Sequence, residues 1–423
     1  MKTLIKNGHL IDPGTGRDGM YDVLIDGEIV TQVRECITET ADKIIDAKDC
    51  FVVPGFIDLH VHLREPGFEY KETIKTGALA AARGGYTSIC PMANTKPVTD
   101  SPEKIRWLIN KARADSVVHI LPVGSVTLKM AGAELTDIMG MVKAGAVAIS
   151  EDGKSVMNSK LYKKALEEAE KAGIVVLDHP EDRSLMGGAI NEGEVSKRLG
   201  IEGISSDAED LITARDILLA KSTGAKLHIC HCSTKTSARL IEIAKANNIS
   251  VTAEACPHHF TLTDEDIRED DGNFKMSPPL RGREDKAELI KALCNGTIDV
   301  IATDHAPHHA DEKSKGIKDA AFGIVGLETA LSLTMTELVH KGLMTPYEMI
   351  RRMSYTPAKI IGIDKGSLAI GKVADVTIID PNREYEIKAS DFASKGRNTP
   401  FEGYRAKGKV IRTIVSGKLV YEI

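Results

Sequence analysis

Two histidines follow the apolar segment 51–57 and alternate with apolar residues. In the sequence Asp58-Leu59-His60-Val61-His62-Leu63-Arg64, polar and apolar side chains alternate strictly. A period of two is typical of a β-strand, so both imidazoles leave the same face, about 6.5 to 7 Å apart along the backbone. Neutral imidazole is a common zinc ligand. A lone histidine would be interpreted as a core residue, but this pair predicts part of a metal site.

Other candidate ligands lie at the ends of further predicted strands. They are Glu151 and Asp152, His179, His231, and Asp304 and His305. The carboxyl ends of the strands of a parallel barrel meet at one rim, so we expect these side chains to lie near His60 and His62. Imidazole and carboxylate ligands without a thiolate cage favour a catalytic zinc site over a structural one.

Cysteines on either side of His231 raise the alternative of a thiolate site. On a strand, Cys230 and Cys232 would point away from His231, so we expect them to pack as small apolar side chains. The chain has seven cysteines, an odd number spread thinly, which does not predict a disulfide framework.

The central region alternates predicted strands with predicted helices. Eight such units in about 300 residues favour a (β/α)₈ barrel over an open doubly wound sheet, so the fold class is α/β and TIM-like. Glycines at 173 and 224 are expected to end two of the helices. The predicted strands are 56–62, 86–90, 117–123, 146–150, 174–179, 226–231, 250–255 and 299–304, and the predicted helices are 71–83, 159–172, 207–223, 235–247 and 284–294.

Both ends of the chain have the pattern of short strands separated by turns. Examples are residues 3–6, 21–25, 374–381 and 410–415. We therefore predict a small β-sandwich domain built from both termini, residues 1–52 and 366–423, beside a metal-dependent barrel domain formed by residues 53–365.

Composition and charge limit the classes of function. The chain has 423 residues, 42% of them hydrophobic and 27% charged, as in an enzyme that buries a full core. A net charge of -6 does not predict nucleic-acid binding, and no apolar stretch is long enough to span a membrane. The first residues lack a secretory apolar region, so we expect a cytoplasmic location.

The segment 54–62 resembles the metal signature of the amidohydrolase superfamily, and a longer set of motifs resembles the bacterial class I dihydroorotases. The set covers nearly the whole chain once the termini, which resemble that family's β-sandwich, are included. Its motifs lie at 62–67, 90–95, 151–153, 178–182, 231–235, 278–281, 302–308 and 322–328.

This resemblance implies a reaction and a metal centre. The reaction is the reversible cyclisation of N-carbamoyl-L-aspartate to L-dihydroorotate and water in de novo pyrimidine (UMP) biosynthesis. Two zinc ions would polarise the amide carbonyl and activate water. Dihydropyrimidinases and allantoinases bridge their metals with a carboxylated lysine, but no lysine occupies that place here. By resemblance, His60, His62 and Asp304 would hold one ion, His179 and His231 the other, and Asp152 would bridge them.

The resemblance also implies catalytic and substrate-binding residues. Asp304 is expected to shuttle a proton, the alternative being a role as ligand only. Arg64, in phase with the metal histidines, is expected to bind the substrate carboxylate, the alternative being a surface ion pair. Ser277 stands where the family usually has asparagine, which leaves its contact with substrate open. The expected substrate-binding residues are His62, Leu63, Arg64, Asn94, Ser277, His308, Phe322 and Gly323.

The polar segment 306–322 allows two interpretations. It is either a solvated loop or a lid whose end, Phe322-Gly323, presents backbone groups to the substrate ring.

The sequence is also compatible with two alternative functions. One is another cyclic amidohydrolase, such as a hydantoinase, dihydropyrimidinase or allantoinase. The other is a non-catalytic scaffold for aspartate carbamoyltransferase. A homodimer, and an association with that transferase, are expectations from the resemblance alone.

Overall fold

A computed structural model describes residues 1–423 as an α/β protein whose central strands run parallel. One parallel sheet contains the strands Phe56–Val61, Tyr86–Pro91 and His119–Ile120. A second, of six strands, runs in order from Val123–Ser125 through Ala148–Ser150, Val175–Asp178, Leu227–Ile229 and Val251–Ala255 to Val300–Ile301. This arrangement confirms the predicted α/β class, and the strands of each of these two sheets follow their order in the sequence. Two short strands between Val175–Asp178 and Leu227–Ile229, Ile190–Asn191 and Gly203–Ile204, form a separate parallel pair.

The two parallel sheets approach each other at both edges. The predicted strand 117–123 is divided by Leu121-Pro122, so its first half pairs in one sheet and its second half in the other. Proline has no N–H to donate to a ladder, which is the physical reason for the interruption. At the opposite edge, the N–H of His62 donates to the carbonyl of His305 at 2.8 Å.

Helices lie between the parallel strands. Predicted helices 159–172 and 207–223 are confirmed to the residue, and each ends before a glycine in the left-handed region, Gly173 (φ 70°) and Gly224 (φ 76°). The helix predicted from residue 71 begins later, because the Thr73 side chain accepts the N–H of Thr76 and caps it there. The longer helices are Ile74–Arg83, Pro102–Asp115, Ser159–Ala172, Asp207–Thr223, Lys235–Ala246 and Arg283–Asn295.

Shorter helices complete the connections, and most of them follow the later strands. No helix has both the length and the apolar character required to cross a bilayer. The shorter helices are Ile138–Ala144, Glu194–Leu199, Pro257–Thr261, Ala310–Lys313, Gly316–Asp319, Ala330–Thr334, Pro346–Ile350 and Thr356–Ile360, with π-helical turns at Met335–Val339 and Arg351–Tyr355.

Strands from both ends of the chain pair with one another. The antiparallel pairing of Val376 with Pro54, and of Ile378 with Val52, joins the C-terminal strands to the N-terminal ones. Side chains from both ends, including Ile5 and Ile414, share one buried cluster. One terminal sheet contains Lys2–Lys6, Asp22–Asp26, Ile29–Arg34 and Lys43–Asp46, and the other contains His9–Asp12, Arg17–Met20, Phe51–Pro54, Val376–Glu386, Arg405–Val415 and Lys418–Glu422.

Candidate metal centre and substrate pocket

The six predicted metal ligands meet at one end of the parallel strands. His60 lies near the end of its strand, and the others occupy the first one to three positions after theirs. All six side chains are buried. They are His60, His62, Asp152, His179, His231 and Asp304.

The carboxylate of Asp152 lies at the middle of this cluster. Its Oδ1 is 3.1 Å from His60 Nε2, 3.2 Å from His179 Nδ1 and 3.7 Å from His231 Nε2, and its Oδ2 is 3.4 Å from His62 Nε2. The carboxylate therefore contacts histidines of both predicted metal sites. This is the position that a bridging ligand requires.

Asp304 contacts the other side of the cluster. Its Oδ1 lies 3.1 Å from His62 Nε2 and 3.4 Å from His60 Nε2. Its Oδ2 forms no hydrogen bond with the protein, and the residue lines the pocket described below. One oxygen therefore belongs to the cluster, and the other is available to a reactant.

Three of the histidines have a protein acceptor for the ring nitrogen that points away from the cluster. His60 Nδ1 lies 2.8 Å from Glu254 Oε1, His62 Nδ1 lies 3.0 Å from Asn94 Oδ1, and His179 Nε2 lies 3.1 Å from Glu181 Oε2. These oxygens can only accept, so in the neutral rings the outer nitrogens carry the protons. The inner nitrogens then direct lone pairs at the carboxylates of Asp152 and Asp304, as metal-binding histidines do.

In this cluster the lone pairs of imidazole nitrogens face those of carboxylate oxygens, so positive charge is needed to offset their repulsion. His60 Nε2 has no hydrogen-bond partner, and His231 Nε2 lies only 2.8 Å from His179 Nδ1. Protons on the imidazoles can supply this charge: although burial opposes ionisation of Asp152, positive charge on His60 and hydrogen bonds donated by protonated His179 and His231 hold the pKa of Asp152 well below its usual range. Imidazole nitrogens and carboxylate oxygens suit a divalent cation such as zinc, so the residues present fit the predicted metal centre.

Sequence reasoning missed the role of Glu254. This side chain is fully buried and contacts three groups: His60 Nδ1, His228 Nε2 at 3.1 Å and the backbone N–H of His231 at 3.2 Å. It therefore orients histidines from two strands at once. A charged residue inside the apolar strand Val251–Ala255 was the available sequence signal.

A hydrogen-bonded pair behind the cluster joins the first and last parallel strands. Asp58, fully buried, accepts the Thr303 hydroxyl at 2.6 Å and the Thr303 N–H at 3.2 Å. It also accepts the N–H of His60 at 3.2 Å. The Asp58 carboxylate thus fixes the backbone next to both His60 and Asp304.

Backbone strain is concentrated at the same rim. Arg64 (φ 62°), His231 (φ 35°) and Asp304 (φ 48°) adopt the left-handed region although none is glycine. Each such residue costs on the order of 1 kcal/mol or more and persists where surrounding contacts impose it. The strain is consistent with side chains held in directions that the strands alone would not give.

A pocket of about 300 Å³ opens onto the cluster. Its wall includes five of the predicted substrate-binding residues besides His62: Arg64, Asn94, Ser277, Phe322 and Gly323. Asn94 also orients His62, as described above. Ser277 donates its hydroxyl to Glu181 at 2.7 Å, and so it supports His179 indirectly.

Two predicted substrate-binding residues lie outside this wall. Leu63 is buried in the main hydrophobic core, so its side chain does not face the pocket. His308 lies behind Arg64, with its Nε2 3.2 Å from the guanidinium and 2.8 Å from the carbonyl of Phe322.

The guanidinium of Arg64 has no carboxylate partner. Its Nε donates to the carbonyl of Pro307 at 3.1 Å, and no aspartate or glutamate lies within ion-pair distance of it. The alternative of a surface ion pair is therefore wrong. A partly buried cation at the pocket wall can bind a carboxylate from a ligand.

The two cysteines near His231 pack as expected. Cys230 and Cys232 are fully buried and belong to separate hydrophobic clusters. Segment 306–322, interpreted from the sequence as either a solvated loop or a lid, contains the short helices Ala310–Lys313 and Gly316–Asp319, and it exposes Asp311 and Lys315 while it buries the side chain of Lys313.

Comparison with known proteins agrees with these observations. The model of the family described as "Dihydro-orotase-like" matches residues 50–237, and that of the "Amidohydrolase family" matches residues 319–421. A dihydroorotase from Citrifermentans bemidjiense is 48% identical over all of both chains. Another, from Pelotomaculum thermopropionicum, is 49% identical over 100% of this chain and 99% of its own. The chain belongs to the dihydroorotase family.

Solved structures of related enzymes share the fold. The L-hydantoinase (dihydropyrimidinase) from Arthrobacter aurescens superposes with a TM-score of 0.89 at 25% identity, covering 99% of this chain and 96% of that one. A dihydropyrimidinase from Brevibacillus agri gives a TM-score of 0.87 at 26% identity, covering 100% of this chain and 95% of that one. The identity with dihydroorotases is nearly twice as high.

Replacement of Glu254 should weaken metal binding. A Glu254→Gln side chain keeps its shape but loses the charge that orients His60, so we expect metal affinity to fall about 10- to 100-fold. Competition with a chromophoric chelator measures this affinity. The exposed Glu242→Gln is the matched control, and equal affinities of the two variants would contradict the role of Glu254.

Proposed function

We propose that this member of the dihydroorotase family cyclises N-carbamoyl-L-aspartate reversibly to L-dihydroorotate and water, as a step of de novo pyrimidine (UMP) biosynthesis. The single observation that supports it best is the unpaired Arg64 guanidinium next to the six-residue cluster. This arrangement offers a cation for the carboxylate that the substrate retains through the reaction, beside the groups that act on the amide.

We further propose that the cluster holds two zinc ions per chain, one on His60, His62 and Asp304 and one on His179 and His231, with Asp152 shared. The acceptor-only cluster and its outer hydrogen bonds support this assignment. Such ions would supply Lewis acidity toward the amide carbonyl and would lower the pKa of a water molecule.

Asp304 is the proposed proton shuttle. Its Oδ1 is fixed by His62 and His60, and its Oδ2 has no protein partner at the pocket wall. In the hydrolytic direction Oδ2 would accept a proton from the attacking water. In cyclisation it would return a proton to the departing oxygen, as general acid–base catalysis requires.

Substrate orientation is assigned to the pocket wall. Arg64 would bind the carboxylate as a planar fork, and Asn94 would contact it from the opposite side. The backbone of Phe322-Gly323 would meet the ring, and His308 would act by donating its Nε2–H to the Phe322 carbonyl. Ser277 lies at the wall, but its hydroxyl already donates to Glu181.

The alternatives are less well supported. Hydantoinases and dihydropyrimidinases share the fold, yet a ring without a carboxylate gives Arg64 no partner. A non-catalytic scaffold does not require six ligands that all meet. The protein's place among the dihydroorotases at 46–49% identity also favours the first proposal.

The wider architecture is part of the proposal. The parallel bridge between Val61 and His305, and the divided strand at Leu121-Pro122, support closure of the two sheets into an eight-stranded (β/α)₈ barrel, 53–365. The paired terminal sheets support a β-sandwich domain formed by 1–52 and 366–423. A cytoplasmic location, a homodimer and an association with aspartate carbamoyltransferase stay predictions.

The purified protein should hydrolyse L-dihydroorotate and should lose this activity when its metal is removed. Absorbance-monitored turnover before chelation, after chelation and after return of zinc measures the effect, together with elemental analysis of metal per chain. Dihydrouracil is the matched control substrate. Turnover of dihydrouracil without turnover of dihydroorotate would show that the hydantoinase-type alternative is correct.

An Arg64→Lys variant should bind dihydroorotate more weakly. A single ammonium group cannot reproduce the planar fork, so we expect KM to rise about tenfold, which corresponds to about 1.4 kcal/mol. Steady-state kinetics measures KM, and Arg106→Lys on an exposed helix face is the control. An unchanged KM would exclude Arg64 from carboxylate binding.

An Asp304→Asn variant should lose most of its activity while it keeps its metal. The amide can still offer an oxygen to the cluster, but it cannot accept a proton, so we expect kcat to fall about 10²- to 10⁴-fold. Elemental analysis and kcat are measured on the same sample. Full activity at full metal content would leave Asp304 as a ligand only.

A further inference from the structure

Two segments of the pocket wall meet at a seam away from the metal cluster. One segment leads from Lys275 to Ser277, and the other contains Phe322 and Gly323. The N–H of Gly323 donates to the carbonyl of Lys275 at 3.0 Å. This is one of the few direct links between the two walls, so whatever holds this seam also sets the width of the pocket.

The side chain of Lys313 occupies the seam. Its Nζ donates to the carbonyls of Lys275 at 3.0 Å, Ala321 at 2.8 Å and Gly323 at 2.9 Å. An ammonium group has three protons, and these three carbonyls use all of them. One side chain therefore binds both walls of the pocket together.

Lys313 is unusual because it is buried without a counter-ion. Its residue is 6% exposed, and no aspartate or glutamate lies within ion-pair distance of its Nζ. Burial of an ammonium group costs free energy that backbone carbonyls offset only when they are held in place. An exposed position would avoid this cost, as it does for Lys315 two residues later.

A second buried side chain fixes the ends of the same segment. Asn398 donates its Nδ2 to the carbonyls of Ala306 and Gly323, each at 3.0 Å, and its Oδ1 accepts the N–H of His308 at 3.1 Å. Asn398 therefore fastens the beginning of the segment to its end. Lys313 connects it across the seam to the Ser277 wall by three hydrogen bonds, in addition to the Gly323–Lys275 backbone hydrogen bond and the contacts of Lys275 with Lys318 and Phe322.

We propose that Lys313 is a positioning residue for the reaction, whose ammonium group holds Phe322-Gly323 in register with Ser277 and so sets the shape of the substrate pocket. The inference rests on the proposed function for its kinetic consequence, but the contacts that define it are independent of the metal cluster. Lys313 does not line the pocket and touches no substrate, so its effect on the reaction is indirect.

The charges around Lys313 make the seam sensitive to pH. Desolvation, together with repulsion by Lys275, lowers the pKa of Lys313 to about 7, although Asp271 opposes the shift. Lys275 directs its own Nζ to the carbonyl of Lys318 and lies over the Phe322 ring, with Asp319 nearby. On segment 306–322, the N–H of Ile317 donates to Asp270, and Glu312 forms an ion pair with Lys71. Deprotonation would turn a lone pair toward a carbonyl, so the seam should loosen as pH rises above about 7.

A Lys313→Met variant tests the proposal. The methionine keeps much of the length and apolar stem but removes all three donors, so we expect KM for dihydroorotate to rise about tenfold while kcat changes less than about threefold. Metal content should equal that of the wild type. Lys315→Met, exposed on the same segment, is the matched control and should leave KM unchanged.

Limited proteolysis between residues 306 and 323 gives a readout that does not depend on activity. Faster cleavage of Lys313→Met than of Lys315→Met, at equal melting temperature, is expected. A KM within about twofold of the wild type, or equal cleavage rates, would overturn the proposal. If the methionine variant does not fold, KM and the cleavage rate are measured instead for Lys313→Gln, which keeps two N–H donors, and the same outcomes decide the proposal.

The pH dependence of KM, compared between the wild type and Lys313→Met, supplies a final measurement. The wild-type KM should rise between about pH 7 and pH 9 and that of the variant should not, and an equal rise in both proteins would overturn the proposal. Failure of the proposed function gives a different result, namely a wild type that does not act on dihydroorotate. In that case the proteolysis comparison still decides the role of Lys313.

Discussion

The structure is organised around one electrostatic conflict. Four imidazole nitrogens and two carboxylates direct lone pairs into the same small volume, where they repel one another unless positive charge is present. The protein holds this unfavourable arrangement by satisfying the outside of the cluster. Glu254, Asn94 and Glu181 accept from the outer ring nitrogens, so each ring can turn its basic nitrogen inward.

The parallel strands hold this cluster rigidly, whereas the loops after them form the pocket wall and can differ between related enzymes. The ligands lie at strand ends, where the backbone is held by ladder hydrogen bonds, whereas the wall that would read the substrate is built from the loops at Arg64, Ser277 and Phe322-Gly323. The L-hydantoinase that superposes on this chain shares its fold. Differences in substrate between members of the superfamily are therefore expected to lie in these loops, because enzymes that share a fold vary mainly in the loops around the active site.

Local sequence patterns predicted those elements that end at a recognisable residue, such as a glycine after a helix or a polar residue after an apolar strand. The helices 159–172 and 207–223 could be placed because glycine stops them. The ends of the strands marked the candidate ligands, and the resemblance selected Asp152 and Asp304 among them and supplied the pairing. The sequence did not predict the helix Pro102–Asp115, although Ser101 and Pro102 are a recognisable start. Glu254 and Lys313 were missed for a deeper reason. Glu254 contacts His60, 194 positions away, and Lys313 contacts Lys275, 38 positions away, so only the folded chain shows that the first orients histidines and the second joins two loops.

The link between Asp58 and Thr303 has a consequence for how the protein is made. These residues are 245 positions apart, and they fix the backbone beside His60 and Asp304. A chain emerging from the ribosome therefore lacks a complete cation-binding site until its last parallel strand has been synthesised and has docked beside the first. The complete set of six side chains therefore comes together only in chains that have already acquired their native topology.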